Sequence, residues 1–211
     1  MKYKYTLRLV TSGIFIALAT VLSLIVIFKL PYGGSITLLS MLPIMVLGYM
    51  YGIKWGLLCG TVYGVVQALL GASMSSAFAG LSGFYVFLMA LIDYLIAFAV
   101  LGTSGMFKGR IKNHTIAFVG GSIVAGLLRL LAHFSSGVIL WGSYAEWFFG
   151  ADNMNNAFGN TILNNFSGIG LAIIYSIVYN GSYMIPEIII TVIGIIIIMK
   201  IKPLRKQIVQ A

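Results

Sequence analysis

The sequence predicts an all-α integral membrane protein, a bundle of six transmembrane helices with both termini cytoplasmic. Three observations predict it. Of the 211 residues, 60% are hydrophobic and only 8% are charged, whereas a soluble domain carries roughly 25% charged residues. The apolar residues fall into six long runs, separated by glycine, proline or charge. Apart from Lys29 and Arg129, every Lys and Arg lies near the N-terminus, at Lys54, at Lys108, Arg110 and Lys112, or near the C-terminus. Those are alternate breaks between runs, the pattern that places basic loops on the cytoplasmic side.

The runs set the expected elements in order, within a single membrane domain covering residues 1–211. Residues 1–8 are a basic tail. Residues 9–28 are the first span, about 20 residues and long enough to cross. This run is too long for a signal-peptide core and no A-x-A site follows it, so it is read as retained. Residues 29–35, K-L-P-Y-G-G-S, form a loop because proline and paired glycines break helices. Residues 36–51 are the second span, with Pro43 expected to kink it, and 52–54 are a tight cytoplasmic turn. Residues 55–70 are the third span; 71–80, small and uncharged, are the outer turn. Residues 81–101 are the fourth span, 102–114 the second basic loop and 116–140 the fifth span. Residues 141–166 are a long outer segment rich in Asn, Gly and aromatics, and 201–211 a basic tail. The sixth span, 168–199, would be about 48 Å as one helix. That exceeds the apolar core of about 30 Å, so a break near Pro186 is expected.

A formal charge of +9 has the sign of a nucleic-acid binder. Its placement instead assigns it to topology and to anionic lipid headgroups, so no nucleic-acid partner is expected. The lone Cys59 lies in an apolar run and reads as a small packing residue. No G-x-x-x-x-G-K-[ST] loop is present. There is no H-E-x-x-H, and two histidines with one cysteine make a poor metal set; no cofactor or metal is expected.

The chemistry gathers in apolar runs. Arg129, His133, Gly137 and Trp141 recur every fourth residue, which on a helix lines them along one face. Ionisable side chains inside a membrane are costly and usually face a cavity or another helix. Asp93 and Glu187 are the acids in apolar runs, while Glu146 and Asp152 lie in the outer segment. Arg129 is expected to neutralise Asp93 or Glu187. Tyr175, Tyr179 and Tyr183 share one helix face, and Asn180 and Glu187 share another. A broken helix lined with polar groups often holds a small solute. Each residue alone also has a plainer reading: a structural ion pair for Asp93 and Arg129, a packing histidine, an interfacial belt residue for Trp141, an interhelical hydrogen bond for Asn180. The residues leave two functions open. One is a solute-binding transport subunit driven by partners. The other is an integral membrane enzyme using Asp93, His133 and Arg129.

Five blocks occur in fixed order: Y-G-G-S-I-T-L-L-S-M-L-P-I (32–44), Y-G-I-K-W-G-L-L-C-G-T-V-Y-G-V-V-Q (51–67), Asp93-Tyr94, H-F-S-S-G-V-I-L-W (133–141) and Y-S-I-V-Y-N-G-S-Y-M-I-P-E (175–187). Together they resemble the thiamine-specific substrate-binding subunit of energy-coupling-factor (ECF) transporters, over nearly the whole chain. The resemblance implies a six-helix protein of the bacterial plasma membrane that is not an enzyme and binds thiamine near its outer face. It implies that Asp93, Tyr94, His133, Trp141, Tyr175 and Asn180 contact the vitamin. It also implies that Gly13 and Ala17, a small-x-x-x-small face, dock a transmembrane coupling subunit joined to two ATPases. Another vitamin is the alternative ligand within the same architecture. The sequence departs from the family in carrying Asp rather than Glu at position 93 and Gly34 where the first outer loop can carry Trp. Its segment between Trp141 and Tyr175 is also longer.

The chemistry fits such a ligand independently. Thiamine pairs an aminopyrimidine with a cationic thiazolium. A cation in a low-dielectric site needs a carboxylate or an aromatic face, which Asp93 and the rings of Tyr94, Trp141 and Tyr175 can supply. Asn180 can donate and accept toward a heteroaromatic ring, and His133 can act as donor, acceptor or stacking partner. Asp93 is expected to keep at least one oxygen free for the ligand.

Overall fold

The computed structural model describes residues 2–30, 34–74, 78, 80–150, 154 and 157–210. Tyr32, Asp152, most of the 151–156 stretch and part of the 71–80 turn lie outside the described residues. The protein is mostly helical. Five helical stretches are long and apolar enough to cross a membrane: Lys4–Ser23, Ile53–Met74, Gly83–Gly105, His114–Phe149 and Gly168–Lys200.

Helix α1, Lys2–Ser23, stops five residues earlier than its apolar run. Residues expected to finish the first span instead form β1, Val26–Lys29, paired antiparallel with β2, Ser35–Thr37. The all-helical expectation is therefore corrected by one short hairpin. Its cause is local: Ile25, Val26, Ile27 and Phe28 are β-branched or aromatic and favour a pleated chain, and the Pro and Gly pair that follow suit a turn.

The second expected span is corrected too. After β2 the chain turns through Leu39, whose φ is 62°, and α2 covers only Leu42–Tyr51. Ten residues reach about 15 Å, half an apolar core. Pro43 kinks nothing; it sits in the first turn of α2, where a missing N–H costs no helical bond. Gly52, at φ 87°, makes the tight turn into α3, Ile53–Met74.

Helix α4 runs from Gly83 to Gly105 but changes character along the way. It is π-helical over Ala90–Ile96 and tightens to a 3-10 coil over Val100–Gly105. Such wide turns are rare and gather at functional sites; this one carries Asp93 and Tyr94. Helix α3 lays Gly56, Gly60 and Gly64 against α4 so closely that a Cβ would lie 2.5, 2.4 and 2.5 Å from the carbonyl oxygens of Gly102, Phe98 and Tyr94. Small residues at fourfold spacing let membrane helices meet backbone to backbone. A Cβ on Gly102 would lie 2.0 Å from the Gly56 carbonyl carbon, whereas one on Gly13 would meet nothing within 4 Å. Gly102→Val is therefore expected to destabilise the detergent-solubilised protein by about 3 kcal/mol, the upper range for overpacking. Gly13→Val should leave the thermal midpoint nearly unchanged. Equal midpoints for the two variants would contradict the packing described.

Helix α5, His114–Trp141, begins where the Asn113 side chain accepts from the Thr115 and Ile116 amides at 3.0 and 3.2 Å, a regular N-cap. A 3-10 turn leads into α6, Ala145–Phe149. After it, α7 covers Ala157–Asn165, so the outer segment is largely helical. Helix α8, Gly168–Lys200, is 33 residues long and continuous through Pro186, so the expected break is not found. Proline deletes one backbone bond and crowds one carbonyl; in α8 the turns on both sides are held by packing along α5. The C-terminal tail is a short basic helix, α9, Lys202–Gln210.

Candidate solute-binding site

The ends of these elements away from the basic loops enclose a cavity of about 390 Å³, within the range of small-molecule pockets. It lies beside the end of α1 at Ser23, the hairpin, the end of α3 at Met74 and the end of α5 at Trp141. Asp93, Tyr94, His133, Trp141, Tyr175 and Asn180 all line it, as do Arg129 and Glu187. Three helices present them. The fourfold stripe of α5 faces the cavity from Arg129 to Trp141, the wide turn of α4 presents Asp93 and Tyr94, and the first half of α8 presents its tyrosines.

The ionised groups form one chain of contacts. Asp93 Oδ1 lies 2.9 Å from His133 Nδ1, and Asp93 Oδ2 accepts from Ser136 Oγ at 2.5 Å. Arg129 Nε–H donates to His133 Nε2 at 3.2 Å. Arg129 Nη1 lies 3.7 Å from Glu187 Oε2, and the guanidinium sits 4.4 Å from the Phe98 ring centre. Glu187 Oε1 accepts from both the amide and the hydroxyl of Thr37, each at 2.5 Å. Arg129 thus pairs with Glu187, and Asp93 is tied to His133 and Ser136. The expectation of one free Asp93 oxygen is corrected: both oxygens are engaged. Each still has acceptor capacity, because a carboxylate offers about four lone-pair sites.

The inner wall carries two carboxylates and one guanidinium. The acidic groups thus outnumber the guanidinium, which suits a monocation in a low-dielectric cavity. Lys29 is the other basic residue on the lining, but it lies on the exposed hairpin, where solvent screens it.

The remaining wall is aromatic and amide. The rings of Tyr175 and Tyr179 lie 5.6 Å apart and those of Tyr179 and Tyr183 5.9 Å apart, with Phe148 5.2 Å from Tyr175. Asn180 Oδ1 accepts from the Tyr183 hydroxyl at 2.8 Å, and its Nδ2 donates to the carbonyls of Ser176 and His133 at 3.0 and 3.2 Å. Tyr179 accepts from the Gly34 amide at 3.0 Å. A Cβ at Gly34 would lie 2.9 Å from the Tyr183 ring, so the hairpin approaches α8 through a position where no ring fits without a shift.

Ser136, Tyr183 and Thr37 belong to this network beyond the residues that the sequence points to. Tyr183 had a signal in the tyrosine stripe, and Ser136 follows His133 on the same helix face. Thr37 had none, because its partner Glu187 lies 150 residues away. Gly13 and Ala17 do not line the cavity and are exposed on α1. Among the described residues no group of three or more His, Cys, Asp or Glu could hold a metal.

A polar, partly ionised cavity enclosed by membrane-length apolar helices defines a multi-pass membrane protein that holds a small solute. Residues 9–151 match the family described as thiamine transporter protein (Thia_YuaJ). The chain belongs to this family of thiamine transporters, which makes it a transporter and not an enzyme, and the reading of Asp93, His133 and Arg129 as a catalytic set is set aside. It is 28% identical to the thiamine transporter ThiT of Bacillus subtilis (strain 168), with 95% of this chain and 94% of that protein covered. It also superimposes on the solved structure of ThiT from Listeria monocytogenes with a TM-score of 0.70 at 25% identity. That match covers 97% of this chain and 98% of the other.

Proposed function

We propose that this protein is the high-affinity thiamine-binding subunit of an ECF-type importer in the bacterial plasma membrane. It captures thiamine at the outer face and delivers it inward with a transmembrane coupling subunit and two ATPases. The observation that carries the reading is the cavity in which Asp93 sits among Tyr94, His133, Trp141, Tyr175 and Asn180. The thiazolium cation is placed against Asp93 and the aromatic rings, and the aminopyrimidine toward Asn180 and the Tyr183 hydroxyl. Glu187 is a tie between α8 and the hairpin, because Thr37 donates twice to its Oε1 and Arg129 lies 3.7 Å from its Oε2. Protein purified from thiamine-fed cells should release one equivalent of unaltered thiamine on denaturation. Release of a modified product, or of none, would count against it.

Both termini are placed in the cytoplasm, with α2 as a sixth, short crossing completed by the hairpin. The support is the alternation of basic loops with uncharged or acidic ones. A cysteine placed at Lys112, in a Cys59→Ser background, should react with a membrane-impermeant maleimide only after the cells are opened. Labelling of intact cells would invert the topology and put the cavity on the wrong side for uptake.

A further inference from the structure

The contacts of His133 determine more than its position. Arginine carries only donors, and a neutral imidazole has one donor and one acceptor nitrogen, whereas the imidazolium has two donors. Arg129 Nε–H points at His133 Nε2 at 3.2 Å, so Nε2 must be the acceptor. The ring is then neutral with its proton on Nδ1, and Nδ1–H donates to Asp93 Oδ1 at 2.9 Å. The contact between His133 and Asp93 is therefore a hydrogen bond from a neutral ring to an anion, not an ion pair. A second ring proton would set an N–H against the Arg129 N–H beside a permanent positive charge.

We propose that Arg129 is a positioning residue that fixes His133 as the neutral, Nδ1-protonated imidazole. This leaves the Asp93 carboxylate ionised and not neutralised by its neighbour, available to a cationic ligand. In its ligand consequence the inference rests on the thiamine reading above; the tautomer stands apart from it. Every charged or titratable group facing His133 is consistent with this assignment. Asp93 comes from α4, Arg129 from one turn earlier on α5, and Tyr183 from α8, its ring 6.0 Å away. Glu187, also on α8, acts through Arg129 and keeps the guanidinium from pairing with Asp93. Lys29, on the hairpin, lines the rim. Because both ring nitrogens are engaged, a ligand meets His133 through its face or edge and not through a ring-nitrogen hydrogen bond.

The test is nitrogen NMR on protein labelled at its two histidines, with His114→Gln assigning the His133 signals. The wild type should show a protonated Nδ1 and an unprotonated Nε2 at about pH 7.5, near neutrality. An imidazolium, or a proton on Nε2, would overturn the proposal. Removing Arg129 alone would strand Glu187, so the informative variant is Arg129→Met combined with Glu187→Gln. It should lose the single Nδ1–H signature, with Nε2 protonated in part of the molecules, and lose thiamine affinity on the order of tenfold, the scale of one charge-assisted hydrogen bond. Glu187→Gln alone, which keeps the arginine, should keep the wild-type signature and lose less than about twofold in affinity. A double variant with the wild-type signature would overturn the role of Arg129, whatever its affinity. A wild type with the Nδ1–H signature that binds no thiamine would support the assignment while overturning the thiamine reading.

Discussion

Asp93→Asn is expected to weaken thiamine binding by about 1.5–3 kcal/mol, roughly ten- to a hundredfold. Asparagine keeps the size of the side chain and can still accept from His133 through its oxygen. What it removes is the charge. The inner wall then carries Glu187 and Arg129, which neutralise one another, and nothing offsets the desolvation of the thiazolium except aromatic faces. Those are worth roughly 0.5–2 kcal/mol as cation–π partners, less than a carboxylate at contact. Asp93→Glu keeps the charge, at the length the family resemblance leads one to expect, and should lose less than Asp93→Asn. Calorimetry on folded protein decides it. Unchanged affinity in Asp93→Asn would make the carboxylate a structural partner of His133 and Ser136 and leave the cation to the rings.

Gly13→Trp with Ala17→Trp is expected to abolish uptake and leave thiamine binding intact. Both residues lie on an exposed face of α1, and a Cβ on Gly13 would meet nothing within 4 Å. Two indoles there would find no clash inside this chain. They would hold off any helix that approaches through small residues, which associate by close backbone contact. Uptake by cells that also express the coupling module, measured beside thiamine binding to the purified variant, separates the two effects. A parallel loss of binding would mean that this face supports the bundle and is not a docking surface.

The long spans were legible because each is apolar over about 20 residues and bounded by glycine or charge. The hairpin was hidden by the same signal: 24–28 is apolar without interruption, and a short apolar run does not reveal whether it is strand or helix. The prolines misled in opposite ways. Pro43 marks a helix start, and Pro186 passes through a continuous helix whose length and packing outweigh one missing bond. Within the site, spacing placed Arg129, His133, Gly137 and Trp141 on one face, and that face lines the cavity. Spacing could not pair the charges. Whether Arg129 meets Asp93 or Glu187 depends on how α4 and α8 lie against α5. That in turn depends on glycine contacts and on a wide turn that leave no mark in composition.

The most direct test of the account is a thiamine titration of the purified protein followed by tryptophan fluorescence, because Trp141 lines the cavity. Saturable quenching at one equivalent is expected, with a dissociation constant in or below the micromolar range, and loss of most of that quenching in Trp141→Phe. No saturable change up to about millimolar thiamine, the level of only about 4 kcal/mol of binding free energy, would contradict it.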